Sequence, residues 1–362
     1  MAAQFWLVQL ARGAADIVSV VLNHSSAVVT ALKEGPPSPH LVDGLLGRAA
    51  ALSNLGRLDD AAAEARTALD LAHQIDYAAG EARALVNLSD IATYADQGEE
   101  AVAWARRTRQ IPDDRIPAWY ARRVGSCLAW ALVFNDQLDG VAELCDQCLA
   151  AASTAGDLSE QADVLFLMAV AALKGGQVAV ARTRLRESAE LSVNSGYPLR
   201  LIDVLELGGH LCAATGRPAE AVTLWSARTA QCRASGVVEP PHDQRERERP
   251  LAGARRALDA QQFASAQRRG AAMTLAAAVE FAVLMAAEDG PEAVERAGLT
   301  KLSARERELV TLVAQGRTDA QIAEQLFISV RTVRTHLDRI RDKSGCRRRA
   351  DLTRLALREG II

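Results

Sequence analysis

Along most of the chain, apolar positions recur at i, i+3, i+4 and i+7, and no stretch alternates apolar with polar residues long enough to predict a strand. The apolar segments are rich in Ala, Leu and Val, which favours helix over sheet, so the pattern predicts an all-α protein. The pattern itself repeats. The turn Gly56-Arg57-Leu58-Asp59-Asp60-Ala61 has counterparts beginning at Asp96, Asp136, Gly176 and Gly216, with a spacing of 40 residues each time. Each copy sets a small or flexible residue where a helix must end, then an acidic or capping group, then small residues that let the next helix pack closely. Ala61, Ala101, Val141, Ala181 and Ala221 share one phase, and Ala65, Ala105, Cys145, Leu185 and Trp225 lie one turn further along the same face. Hairpins of this kind bury little alone, so they are expected to stack into a curved solenoid. Its concave surface would be open to a peptide, protein or small-molecule effector; a spacer without a ligand is the alternative.

Residues 1–34 predict one or two amphipathic helices, closed by Gly35-Pro36-Pro37-Ser38-Pro39. After Gly236 the run Glu239-Pro240-Pro241-His242 interrupts the array. The alternating Arg245-Glu246-Arg247-Glu248-Arg249 then predicts an exposed helical segment ending at Pro250, because interleaved glutamates cancel most of the field a nucleic acid would need. Leu251 to Ala287 predicts one more pair of apolar helices capping the array, with Gln261-Gln262-Phe263-Ala264 echoing the repeat turn. The acidic, Gly- and Pro-bearing run that follows places a linker at 290–298, between a repeat domain at 1–289 and a small module at 299–362.

The module opens on Ser303 and Glu306, the S-x-x-E spacing of a capping box, with Leu309, Leu312 and Val313 on one buried face and Gly316 as the left-handed stop. Thr318 and Gln321 repeat the device as T-x-x-Q, starting a short helix with Ile322, Ala323 and Leu326 inward. Ile328 packs in the turn, and Ser329 caps a third helix, 329–344, whose buried side carries Val333, Leu337 and Ile340. The opposite side carries Arg331, Arg334, Thr335 and Asp338, with further bases at Arg339 and Arg341. Such a helix fits the major groove, where arginine can bond guanine O6 and N7 and threonine can meet a thymine methyl. Taken alone, it could equally be an ordinary charged surface.

Charge favours the first reading. The chain carries −3 overall, but residues 299–362 hold 14 Lys+Arg against 8 Asp+Glu, or +6, leaving 28 against 37, or −9, for the rest. A basic module on an acidic body suits a polyanion partner for the module alone. The six cysteines (Cys127, Cys145, Cys148, Cys212, Cys232, Cys346) are read as reduced, and Cys145 and Cys148 as helix packing, since no second Cys/His pair completes a zinc site. Neither the N-terminal stretch nor Met273 to Ala287, interrupted by Glu280, reads as a membrane span, so a cytoplasmic protein is expected. No G-x-x-x-x-G-K-[ST] loop and no His or carboxylate constellation around His336 is present. The expectation is a non-enzyme without catalytic residues, metal or cofactor.

The run ARERELVTLVAQGRTDAQIAEQLFISVRTVRTHLDRI, with Ile328-Ser329, Thr332-Val333-Arg334 and His336 on an IS-x-x-TV-[KR]-x-H core, resembles the C-terminal helix-turn-helix of the LuxR family of bacterial transcription regulators. The resemblance covers about Leu299 to Ile362 and implies a four-helix DNA-binding domain, with Arg334 and Thr335 reading bases. Ser329, Arg331, Thr332, Arg334, Thr335, Asp338, Arg339 and Arg341 form the expected DNA-contacting set. His336 would pack or touch phosphate. The fourth helix, 348–358, with Leu352, Leu355 and Leu357, would form the dimer contact on DNA, setting half-sites about 34 Å apart. Promoter DNA and a second copy are thus the expected partners, with RNA polymerase a further one. Three residues depart from the family pattern: Asp319 stands where asparagine is common, Ser344 where a core leucine is usual, and Asp338 where a basic or polar contact is frequent. The repeats resemble tetratricopeptide hairpins with a longer period, and the body as a whole is similar to the region between ATPase and reader in large ATP-binding regulators of this family, without their nucleotide loop. A protein-interaction scaffold with a degenerate DNA module, and an ATP-driven switch, are the alternative readings.

Overall fold

The computed structural model describes residues 17–195, 198–287, 302–344, 346 and 349–358. The expected linker at 290–298, the first 16 residues and the side chain of Leu357 lie outside that set. Among the described residues every regular element is helical. The chain divides into two compact units. Of the described residues, the first holds those up to 177 with 191–195, 198 and 232–248; the second holds 178–190, 199–231 and those from 249 on.

In the first unit, α1 (Ile17–Leu32), α2 (Pro39–Asn54), α3 (Leu58–Gln74), α4 (Ala78–Tyr94), α5 (Gly98–Thr108), α6 (Ala118–Phe134), α7 (Val141–Thr154) and α8 (Leu158–Lys174) each pack on the next. In addition α2 meets α4, α4 meets α6, and α6 meets α8, so these four form an inner layer, with α3, α5 and α7 outside it. The sequence already encodes the difference. Eleven of the 17 residues of α4 are buried, against five of the 17 in α3, because an inner helix needs apolar side chains on two faces and an outer helix on one. Pro39, expected only to stop a helix, occupies the first turn of α2 behind the Ser38 cap, where its missing N–H costs nothing.

The 40-residue period resolves into two turns of the same kind. A left-handed residue ends a helix at Gly56, Asp76, Asp96, Asp136, Gly156, Gly176, Gly216 and Gly236. The next N–H reaches back five residues, as in Arg57 to Leu52 O (2.9 Å), Gln97 to Ala92 O (2.8 Å) and Gln137 to Leu132 O (2.9 Å), closing Schellman motifs. Aspartate takes the glycine role at three of them because its short side chain tolerates this conformation. The ten phase-matched positions from Ala61 to Trp225 are all at most 2% exposed, as the repeat requires. The period survives a shortened α5 because a 3-10 turn at Asp113–Arg115 fills the gap before α6. Cys145 is fully buried on α7 and Cys148 half-buried beside it, with burial pushing their thiols up to about 12 and about 11.

The remaining repeat helices are α9 (Val178–Ser195), α10 (Pro198–Ala214), α11 (Pro218–Ala234), α12 (Pro241–Ala257), α13 (Ala260–Ala272) and α14 (Leu275–Ala286). Here two expectations are corrected. The charged segment does not end at Pro250: α12 continues through it to Ala257, since proline's φ is helical and the loss is one backbone bond. The segment is also only partly exposed, with Arg247 buried, because its side chain meets Glu239. In the second unit α13 presses against α11 so closely that Gly270 touches the backbone of Thr223 and Ala227. Beside it, Arg269 is buried on Thr223 Oγ1 (2.8 and 3.1 Å), and desolvation lowers its guanidinium pKa to about 10.

Candidate nucleic-acid interface

The module contains α15 (Ala304–Ala314), α16 (Asp319–Gln325), α17 (Val330–Ser344) and α18 (Arg349–Arg358). Both expected capping boxes are present. Ser303 and Glu306 satisfy each other's backbone N–H at the start of α15, and Thr318 and Gln321 do so for α16. Gly316 ends α15 at φ +79, and a side chain there would also collide with the Ala272 and Met273 backbone. Ser329 Oγ accepts the Thr332 N–H (3.0 Å), capping α17.

These caps aim α17 by fixing which face turns inward. Val333, Leu337 and Ile340 are at most 2% exposed, in one core with Leu309, Val313, Ile322, Leu352 and Leu355. Leu352 and Leu355 thus serve the module's own interior. The rest of α17 faces out: Ser329, Arg331, Arg334, Thr335, Asp338 and Arg339 are exposed, and Thr332 and Arg341 half-exposed.

Local bonds set what these groups offer. Thr335 Oγ1 donates to Arg331 O (3.0 Å), and Thr332 Oγ1 lies 2.8 Å from Ser329 Oγ. Asp338 accepts from Arg341 Nη1 (2.8 Å), a pairing within the helix. Arg334, 71% exposed, lies 3.5 Å from Asp319. Asp319 also accepts from Arg349 Nη1 (2.7 Å), tying α16 to α18, and this accounts for a carboxylate where the family favours an amide. The Ser344 hydroxyl donates to Ile340 O (2.6 Å) and accepts from the Cys346 N–H (3.3 Å), so a buried polar group replaces leucine without an unpaired atom.

Lys343 donates to both Glu306 oxygens (2.7 and 2.8 Å), fastening the last turn of α17 to the first of α15. With the Ser303 backbone bond this holds the Glu306 carboxyl down at about 2, against the usual 4.5. A carboxylate depressed in the folded state contributes stability above pH 4.5 that is lost as pH falls toward 2. Glu306→Gln is therefore expected to flatten the acid limb of the module's stability, at a cost near neutrality of about 1 kcal/mol; amide exchange of α15 and α17 followed from neutral pH down to pH 2.5 measures both.

Sequence reasoning missed Phe327. It stands between α16 and α17 at φ +54 and is 96% exposed. Its signal was the tight spacing between Leu326, the C-cap of α16, and the Ser329 cap of α17, which calls for a sharp turn.

The model of the family "Bacterial regulatory proteins, luxR family" matches residues 300–356. Mb0914c of Mycobacterium bovis, named as an HTH-type transcriptional regulator, is 31% identical over 172 residues, 48% of this chain and 19% of its own. Rv0890c of Mycobacterium tuberculosis, named likewise, has the same identity and coverage. The oxygen regulatory protein NreC of Staphylococcus aureus is 39% identical over 61 residues, 17% of this chain and 28% of its own. The chain thus spans about a fifth of the mycobacterial relatives and just over a quarter of the staphylococcal one. Capping boxes, buried stripe and family match converge on one statement: residues 300–356 are a helix-turn-helix domain of the luxR family of bacterial regulatory proteins.

Proposed function

We propose that the chain is a DNA-binding transcription regulator, its module (299–362) reading promoter DNA with α17 and its repeats (1–289) controlling when it does so. The observation that carries this reading is the outward face of α17, where Arg331, Arg334, Thr335 and Arg339 stand exposed while Val333, Leu337 and Ile340 anchor the helix behind them. Arg334 and Thr335 read base edges, Arg331, Arg339 and Arg341 meet phosphate or base, and Ser329 and Thr332 approach the backbone at the helix start. Asp338, held by Arg341, lends itself to ordering that arginine more than to accepting from cytosine. The relatives' names support transcriptional regulation. Among the described residues, no helix is long and apolar enough to cross a membrane. We place the protein in the cytoplasm, acting as a homodimer on DNA, with RNA polymerase as a further partner.

Control by the repeats has a physical route. α14 packs against α18, the helix expected to form the dimer contact, so dimerisation and contact with the repeats draw on the same short helix. Selecting bound fragments from a genomic library, followed by gel shifts on the recovered site, tests the reading; absence of any enriched site overturns it. Deleting residues 1–289 is expected to preserve the preferred sequence while changing affinity or promoter output at least threefold. Unchanged affinity and output would refute control by the repeats. The scaffold alternative drew on Ser344 and Asp338, and both now have satisfied partners within the module.

A further inference from the structure

The inner helices α2, α4, α6 and α8 end on equivalent turns, at Gly56, Asp96, Asp136 and Gly176. Each brings the carbonyl-rich, partly negative end of its helix to that edge, and Asp96 and Asp136 add carboxylates. Residues 238–247, which the repeat pattern does not account for, cross it. The Val238 N–H donates to Asn54 O (2.8 Å) at the end of α2, and the Val238 side chain rests on Gly56, where a Cβ would come within 2.9 Å of it. His242 is buried edge-on against Phe134, its Nδ1 3.2 Å from Asp96. Arg245 Nε lies 2.6 Å from the other Asp96 oxygen, and Glu246 reaches Lys174 (3.7 Å), which also pairs with Asp136.

We propose that this edge is a docking strip for a peptide segment bearing a His-x-x-Arg pair, and that residues 238–247 are its built-in, displaceable occupant. Side-chain pairing decides the class of ligand: the strip presents helix C-termini and aspartates with Lys174 beside them, and what enters it is a histidine and an arginine on Asp96, next to an aromatic ring, with Glu246 toward the lysine. The hold is light. Val238 is 48% exposed, and the Arg245–Asp96 pair is half-open to water, where ion pairs bind weakly. A cleft of about 250 Å³, lined by Thr93, Phe134, Asn135 and Asp136, remains beside His242 and Arg245 and leaves room for a larger segment. Pro250 supplies a break behind the strap. Its missing N–H interrupts the α12 bond ladder, while Ala254 further along packs with Val222 and Ala266 in the second unit. The first turns of α12 can therefore leave without unpacking its far end. A partner segment that wins the strip acts on α12, whose residues up to 248 belong to the first unit and whose remainder belongs to the second. None of this depends on the module's DNA specificity.

The test uses the full-length protein. Asp96→Asn keeps a residue tolerant of the left-handed conformation at φ +63 and removes the charge; Arg245→Ala removes the strap's half of the pair. In either variant, amide exchange of 241–248 is expected to rise at least tenfold, with α4 and α6 unchanged. The second arm titrates a fluorescent synthetic peptide with the sequence of residues 236–249. It is expected to bind the His242→Ala/Arg245→Ala chain at least tenfold more tightly than wild type, and to lose that gain when Asp96→Asn is added. Equal peptide affinity for the wild-type and strap-weakened chains, or exchange of 241–248 as slow as α4 in both single variants, would show that the segment is a permanent part of the fold and overturn the proposal.

Discussion

Arg334→Ala is expected to weaken binding to the protein's selected DNA site by about 1 to 3 kcal/mol, roughly 5- to 150-fold, and to relax the preference at one base position. Arg334 is 71% exposed, so its removal is expected to leave folding within about 0.5 kcal/mol of wild type. Its resting partner Asp319 is retained by Arg349, so no carboxylate is stranded. Arg334→Lys keeps the charge but not the planar fork, and is expected to retain most non-specific affinity while losing the base preference. Gel shifts at two salt concentrations separate the effects, because a lost phosphate contact lowers the salt slope whereas a lost base contact leaves it. If neither substitution alters affinity or sequence preference, α17 does not read DNA through this side chain.

Gly270→Ala should be among the most damaging single-methyl changes in the chain. A Cβ at this position would lie 2.0 Å from Thr223 O and 2.9 Å from Ala227 N, both backbone atoms of α11, so the two helices must separate. Overpacking of this kind costs about 3 kcal/mol, and here it also pulls buried Arg269 away from Thr223. The control is Gly253→Ala on α12, where a Cβ would meet nothing within 4 Å. Relief of glycine's entropy cost should stabilise that helix by about 0.5 to 1 kcal/mol. Opposite shifts of the urea midpoint for the same chemical change would establish close approach as the cause; equal shifts would refute it.

The reader was legible in the sequence because its determinants are local. Ser303 with Glu306 and Thr318 with Gln321 act across three residues, and Val333, Leu337 and Ile340 fix the buried face of α17 by spacing alone. The repeat was legible for the same reason, since each small residue at positions such as Ala61 and Ala101 answers to a neighbour one hairpin away. The partners of Asp319, Asp338 and Ser344 were harder to read. Those of Asp338 and Ser344 lie within four residues and depend on rotamer, whereas Arg349 reaches Asp319 across 30 residues.

The sequence by itself determined the all-helical class, the 40-residue period, the capped helices and the basic face that a polyanion would meet. Only the tertiary structure decided which helices form the inner layer, that α12 runs through Pro250, and that His242 and Arg245 lie on the strip made by turns as distant as Gly56 and Asp136. Helical periodicity and caps act over one turn of chain, within reach of pattern. Which polar groups meet across more than a hundred residues depends on how the hairpins stack, and no local spacing encodes that.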